Sequence, residues 1–357
     1  MINKYIDYIL DNGIAAHSNM CVEIVASSYI EDFINLIVSK LKERNIFDIV
    51  ITYTDGRALE RRLNFNPEEY IASMIEKYEY LISKGFSRIS IKSPFTIPLA
   101  NTNGVTYFNK NNHRFRFINE YFNKNNSTWC ICAAANHYWA NKLNISYDEL
   151  WNRIFHMTFN SSKIDSLIEK IEENNIAKLH FITNEGTDLI VGLINKLKPH
   201  NKYKINNLGV KYQPNIPCLE VYTSPDMYLV DGILVGTKAL YFNNKLIENY
   251  SLTFRHGMVI NNENLDDILA LDKGLFYAGE IALAETLNYS TMYTTLLDEN
   301  TGCHLALGMA VDNHKKTNIA KYHIDLVFGS DSLMTYGITK DNNKIILLEN
   351  GVINNEL

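Results

Sequence analysis

Through the first half of the chain, short β-rich runs alternate with stretches of helical periodicity, and no other feature restricts the fold as much. Cys21–Ala26 reads as a strand, and Ile30–Arg44 follows with Ile30, Phe33, Ile34, Ile37, Val38 and Leu41 at helical spacing. The apolar run Phe47–Tyr53 then returns as a strand, which completes a βαβ unit and demands a sheet with helices on its face. A second helix opens at Asn66-Pro67, a capping residue followed by a first-turn proline. It sets Tyr70, Met74, Ile75, Tyr78, Leu81 and Ile82 on one stripe and stops at Gly85, and Phe86–Lys92 is the next strand. Further on, Trp129–Ala135 reads as a strand and Tyr147–Phe159 and Lys163–Asn174 as helices. Lys178–Thr183 and Asp188–Leu193 read as two strands joined by Asn184-Glu185-Gly186.

From about Asn206 the pattern changes: apolar segments shorten, turn residues recur, and helical periodicity survives mainly near Leu265–Leu271 and Glu280–Leu287. The expected class is therefore α/β with two domains. Residues 1–205 form an α/β domain of layered sheet and helices, and residues 206–357 a mixed α+β domain that carries the chemistry. The 357 residues, 46% apolar, suffice for two buried cores.

Composition removes several function classes. The formal charge is -6 and the basic residues are scattered, so no stripe awaits a nucleic-acid backbone. Lys4, Asp7 and Asp11 interrupt the apolar residues of the opening segment, and no apolar run approaches a membrane span, which makes a cytoplasmic address the expectation. The cysteines, at 21, 130, 132, 218 and 303, lack zinc-knuckle or redox spacing and are expected as buried thiols.

Most histidines lie among unremarkable neighbours, but His323 and His304 do not. In the β-rich run Ala320–Ser330, His323 and Asp325 stand two apart, so both leave one face while Ile324 and Leu326 point the other way. An acid in so apolar a strand costs several kcal/mol unless it is paired or bound to a cation, and a plain Asp–His hydrogen bond is the competing explanation. Upstream, Glu299 and His304 flank the bend Thr301-Gly302, which can turn both toward one point. Glu280 and Glu220 are further acids set into apolar runs, each open to an ordinary structural role. Carboxylate oxygen combined with imidazole nitrogen suits zinc, manganese, cobalt or iron. The surplus of carboxylates suits two ions about 3.5–4 Å apart under one bridging group.

In this order, the segments resemble the metallo-aminopeptidases of the aminopeptidase T and aminopeptidase S family over nearly the whole chain. The resemblance includes Gly186-Thr187-Asp188-Leu189, Ile216-Pro217 leading to Glu220-Val221-Tyr222-Thr223-Ser224-Pro225, the Glu299–Gly308 segment, and His323-Ile324-Asp325 with Gly329-Ser330. Trp129 and Trp139 fall where the family's α/β domain has an aromatic strand-and-helix stretch. The resemblance implies that Glu220, Glu280 and His304 hold one metal, that Glu280 bridges, and that Glu299, His323 and Asp325 hold the second. The resemblance leaves open which glutamate acts as base, with Glu220 and Glu280 as the candidate catalytic carboxylates. It further implies one or two divalent ions, a peptide or related amide substrate, and a homodimer. One departure stands out: where the family has a tyrosine seven residues after the histidine at 304, this chain has Val311. Tyr322 and Tyr336 are the candidate replacements for that phenol.

A metal-dependent aminopeptidase is thus the expected function. The alternatives are a mononuclear iron ring-cleaving dioxygenase on the same scaffold, using His304, His323 and Asp325, and a non-catalytic accessory protein, which the loss at Val311 would suit.

Overall fold

The structure, a computed structural model, describes residues 1–96, 99–160, 164–194, 199–243 and 245–354. The chain divides into two compact units, residues 1–159 with 203–217, and residues 160–202 with 218–357.

The first unit is built on parallel strands β1 (Cys21–Ala26), β2 (Asp48–Tyr53), β3 (Ser87–Lys92) and β4 (Trp129–Ala133) in the order β2-β1-β3-β4, with Asn215–Ile216 beside β4. Helices α1 (Glu31–Glu43) and α2 (Pro67–Ser83) supply the crossovers that parallel strands require. Helix α1 buries Phe33, Ile34, Ile37 and Leu41, members of the stripe read from the sequence. Helix α2 starts as its cap predicts, with the Asn66 side chain accepting from the Glu69 N–H at 3.2 Å and Pro67 in the first turn. Helix α3 (Tyr147–Phe159) has the predicted ends. The central strand β1 is buried except at Val25, and this explains why all but one of its residues are apolar. Its one acid, Glu23, is fully buried and accepts from Lys77, Arg88 and Thr52.

The second unit opens with α4 (Ile164–Glu173); Lys163, the expected first residue of this helix, lies outside the described residues. The strands of its two main sheets are β5 (Ile176–Ile182), β6 (Asp188–Leu193), β7 (Glu220–Thr223), β8 (Pro225–Val235), β9 (Ser251–Arg255), β10 (Met258–Glu263), β11 (Ala278–Ala284), β12 (His304–Gly308), β13 (His323–Val327), β14 (Met334–Thr339), β15 (Lys344–Glu349) and β16 (Val352–Ile353). One sheet runs β10-β9-β8-β6-β5-β14-β15-β16, and a smaller one runs β7-β11-β12-β13. The hairpin β5–β6 pairs with β14 and β8, so residues 160–202 cluster with the carboxy-terminal strands. A single cut near 205 does not describe that division, because sequence order hides which sheet a hairpin joins.

Two other expectations change. Glu280–Leu287 is not helical: its first five residues belong to β11, which is buried along its whole length. A strand covered on both faces shows no alternation, and its alanine-rich sequence mimics a helix. The segment Leu265–Leu271 holds only a single turn, Asp266–Leu269. Helices Arg57–Phe65, Asn103–Lys110, Arg116–Asn123 and His137–Lys142 are additions to the elements read from the sequence. All five cysteines are free and buried, as expected. Among the described residues no helix is long and apolar enough to cross a membrane.

Candidate metal centre

The smaller sheet of the second unit sorts its residues by face. Across its ladders Tyr222 stands opposite Ala282, Ala282 opposite His304, and His304 opposite Val327. Glu280 stands opposite Ala306, Ala306 opposite Asp325, Gly308 opposite His323, and Glu220 opposite Ala284. Cross-strand partners share a face, so Glu220, Glu280, His304, His323 and Asp325 project together, with Ala282, Ala284, Ala306 and Gly308 between them. The reverse face carries Val221, Ile281, Leu283, Leu305, Leu307, Ile324 and Leu326, all buried. Each of these larger apolar side chains contributes about 1.5–3 kcal/mol by burial, and that layer holds the strands under a polar face. The small residues leave volume above the sheet. Gly308 is required where it stands, with φ +97° and a Cβ position 2.2 Å from the Tyr322 carbonyl oxygen.

Five of the six expected ligands meet in two sets that share Glu280. Ligand atoms of Glu220, Glu280 and His304 lie within 4.8 Å of one another, and so do those of Glu280, His323 and Asp325. His304 Nε2 is 3.2 Å from Glu220 Oε2 and 3.4 Å from Glu280 Oε1. His323 Nε2 is 3.2 Å from Asp325 Oδ1 and 3.6 Å from Glu280 Oε2. Glu280 therefore offers one oxygen to each imidazole.

The other ring nitrogens point outward to main-chain oxygens. His304 Nδ1 lies 3.4 Å from the Gly302 carbonyl and His323 Nδ1 2.7 Å from that of Met309. A proton donated there leaves the Nε2 lone pair aimed inward, the arrangement that orients ligand histidines at metal sites. Glu220 Oε2 and His304 Nε2 are buried and complete no hydrogen bond among the described residues. Orphaned buried polar atoms are costly, and two lone pairs facing one point fit a cation between them.

The electrostatics describe the same imbalance. Burial pushes Glu220 up to about 8 against the pull of His304, with Glu280 and Asp325 adding to the rise. Burial opposes the imidazolium of His304, but its close contact with Glu280 and the charges of Glu220 and Asp325 outweigh it, and the group rises to about 9. His323, likewise resisted by burial, is lifted to about 10 by Asp325 and Glu280. Burial raises Asp325 too, yet both histidines hold it below the ordinary carboxylate range. Acidic charge exceeds what two imidazoles can neutralise, and divalent cations would complete the balance.

Glu299 stands beside these sets and belongs to neither. It opens the turn Glu299–Thr301, and burial, then Glu220, Asp325 and Glu280, push its carboxyl well above the usual range. With Asp325, Asp298, Tyr250 and Lys238 it lines a cavity of about 20 Å³, room for about one water. Asn300 secures the turn: its side chain accepts from the Leu219 N–H, next to Glu220, and donates to the Leu296 carbonyl at 2.8 Å. Nothing in the spacing around Asn300 announces this role, because its partner is 81 residues away.

Val311 is 40% exposed in the loop after β12, so the position carries no phenol. Neither expected substitute faces the cluster: Tyr322 is exposed, and Tyr336 lies in the other sheet with its ring 6.3 Å from that of His180. Gly186-Thr187-Asp188-Leu189 forms the β5–β6 turn and the start of β6, where Thr187 bonds Val235, a structural use. Trp129 and Trp139 occupy β4 and the following helix.

Fold and site together define a two-unit α/β protein with a carboxylate–imidazole cluster of metal-binding type. The profile of the thermophilic metalloprotease (M29) family matches residues 1–353, and the chain belongs to that family. It is 26% identical to aminopeptidase AmpS of Bacillus subtilis over 98% of this chain and 97% of the relative. Among solved structures, wild-type AmpT from Thermus thermophilus superposes with a TM-score of 0.85 at 23% identity, covering 99% of this chain and 98% of that one. A 2,5-dihydroxypyridine dioxygenase from Pseudomonas putida matches with a TM-score of 0.50 at 12% identity, over 99% and 97% of the two chains.

Proposed function

We propose that this chain is a metal-dependent aminopeptidase whose two sets of ligands hold two divalent ions. Glu220, Glu280 and His304 hold the first. Glu280, His323 and Asp325 hold the second, with Glu299 reaching it across the small cavity it shares with Asp325. The observation that carries this reading is the division of Glu280, one oxygen 3.4 Å from His304 and the other 3.6 Å from His323. The relatives are named aminopeptidases, which supports the same class.

Bound there, the ions would lower the pKa of a water and polarise the scissile carbonyl. Glu220 would accept the water's proton and hand it to the departing amine, since Glu280 commits one oxygen to each ion. The apolar strand layer fixes the carboxylates, and the Gly302 and Met309 carbonyls fix both rings, so the groups are set before a peptide arrives. The mixed oxygen and nitrogen donors suit zinc, cobalt or manganese. The preferred substrate is a peptide with a free amino end, and the protein works as a homodimer in the cytoplasm. The dioxygenase alternative is not favoured, since Glu220 and Glu299 have no use in a mononuclear iron site and the likeness to a dioxygenase concerns fold alone.

The test is hydrolysis of an amino-terminal residue from a short peptide, measured before and after chelation and again after each metal is restored. Activity that is lost and then recovered supports the reading. Hydrolysis that chelation leaves unchanged, or none with any divalent metal, overturns it.

A further inference from the structure

The row of residues that crosses the metal face does not stop at the edge of the small sheet. Beyond β7, His200 forms an antiparallel bridge with Tyr222: its N–H donates to the Tyr222 carbonyl at 2.7 Å, and the Tyr222 N–H donates back at 3.2 Å. His200, Tyr222, Ala282 and His304 are therefore consecutive members of one cross-strand row, with side chains on the same face. The rings of His200 and Tyr222 stack, with centroids 5.3 Å apart and planes at 30°.

His200 is also held from the other side. Its Nε2 donates to Asp312 Oδ1 at 2.7 Å, and Asp312 Oδ2 accepts the Ser224 N–H at 3.2 Å. The Asp312 N–H in turn donates to Ser224 Oγ at 2.9 Å, and Ser224 is fully buried. Asp312 directly follows Val311, so the loop that lacks the phenol brings a carboxylate to this imidazole. With Nε2 committed, Nδ1 is the nitrogen left to accept a hydrogen bond, and it has no partner among the described residues. The His200 side chain is 40% exposed, open to a ligand although stacked and tethered.

Resting on the aminopeptidase reading, we propose that His200, oriented by Asp312, reads the main chain of the peptide on the leaving-group side of the scissile bond. Adjacent strands are about 4.8 Å apart, so His200 stands one strand from the Glu220 strand, two from the Glu280 strand and three, roughly 14 Å, from His304. An extended peptide advances about 3.4 Å per residue. A chain whose amino end sits at the Glu220 end of the cluster and which runs toward this edge thus brings its second or third residue to the imidazole, whose Nδ1 accepts a main-chain N–H. His200 is a specificity residue, and Asp312 positions it by fixing the tautomer.

The test compares leucyl-glycyl-glycine with leucine p-nitroanilide, which has no peptide main chain beyond the scissile bond. His200→Ala should raise KM for the tripeptide about tenfold, the loss of one hydrogen bond, with kcat, metal content and KM for the anilide unchanged. Asp312→Asn should shift the tripeptide KM in the same direction, and His200→Gln, which keeps an acceptor oxygen, should recover part of the loss. An unchanged tripeptide KM, or an equal rise for both substrates, overturns the proposal while leaving the hydrolase reading intact. A wild-type protein that cleaves neither substrate removes that reading and this one with it.

Discussion

Replacing Glu23 by Gln removes a charge from the middle of β1 and leaves its shape in place. The carboxylate is fully buried, with Lys77 Nζ at 3.0 Å, Arg88 Nη2 at 2.7 Å and Thr52 Oγ1 at 2.7 Å. Breaking a buried ion pair by deleting one partner costs about 3–5 kcal/mol, because the other charge is left uncompensated. Here two cations are stranded, but their side chains keep 24% and 18% of their exposure, and water relieves part of the penalty. The expected loss is therefore at the lower end, about 3 kcal/mol. Burial acts to raise the Glu23 pKa, and Arg88 and Lys77 more than reverse it, so the folded value lies below the unfolded one. The carboxylate's contribution is thus complete above the unfolded value of about 4.3 and fades as pH falls through the depressed folded value. Denaturant titration followed by tryptophan fluorescence reads this unit selectively, because Trp129, Trp139 and Trp151 all belong to it. The gap between wild type and variant should hold from neutral pH down to about 5 and close below it. A loss under about 1 kcal/mol, or a gap that ignores pH, would refute the ion-network argument.

Other perturbations probe the second unit. Asn300→Ala should cost about 1–3 kcal/mol, since it strands the buried Leu219 N–H, and should weaken metal binding by loosening the Glu220 and Glu299 segments; normal affinity would show the tether to be dispensable. Gly308→Ala should lower the melting temperature and the affinity for the ion at His323, because the new Cβ meets the Tyr322 carbonyl; wild-type behaviour would count against the close approach of β12 and β13. Val311→Tyr places a phenol on an exposed site, and kcat should rise toward the roughly hundred- to thousandfold that one oxyanion donor supplies; an unchanged kcat would mean that no donor is lacking. Chelation should lower the melting temperature, and each metal added at about a hundred times its Kd should restore about 2.7 kcal/mol; equal stability with and without metal would contradict a cluster that needs cations.

Much of this was legible in the sequence wherever the signal was local. The βαβ alternation, the Asn66-Pro67 cap and the two-residue spacing of His323 and Asp325 each express a rule that acts within one element, and the corresponding structure follows. Strand β11 was not legible, because burial on both faces removes the alternation that marks a strand. The placement of residues 160–202 depends on which sheet the β5–β6 hairpin joins, a choice made by distant strands. His200 and Asp312 are 112 residues apart, so neither carries a mark in its own neighbourhood. Glu299 joins the expected ligands through the family resemblance, and it lines a small cavity with Asp325 without completing either set.

The central claim is that Glu280 joins two cation sites, and elemental analysis of bound metal in the wild type and in Glu280→Gln tests it most directly. Two divalent ions per chain in the wild type, and the loss of both in the variant with the fold intact, is the predicted result. A single ion in the wild type, or two ions retained without the Glu280 carboxylate, would contradict it.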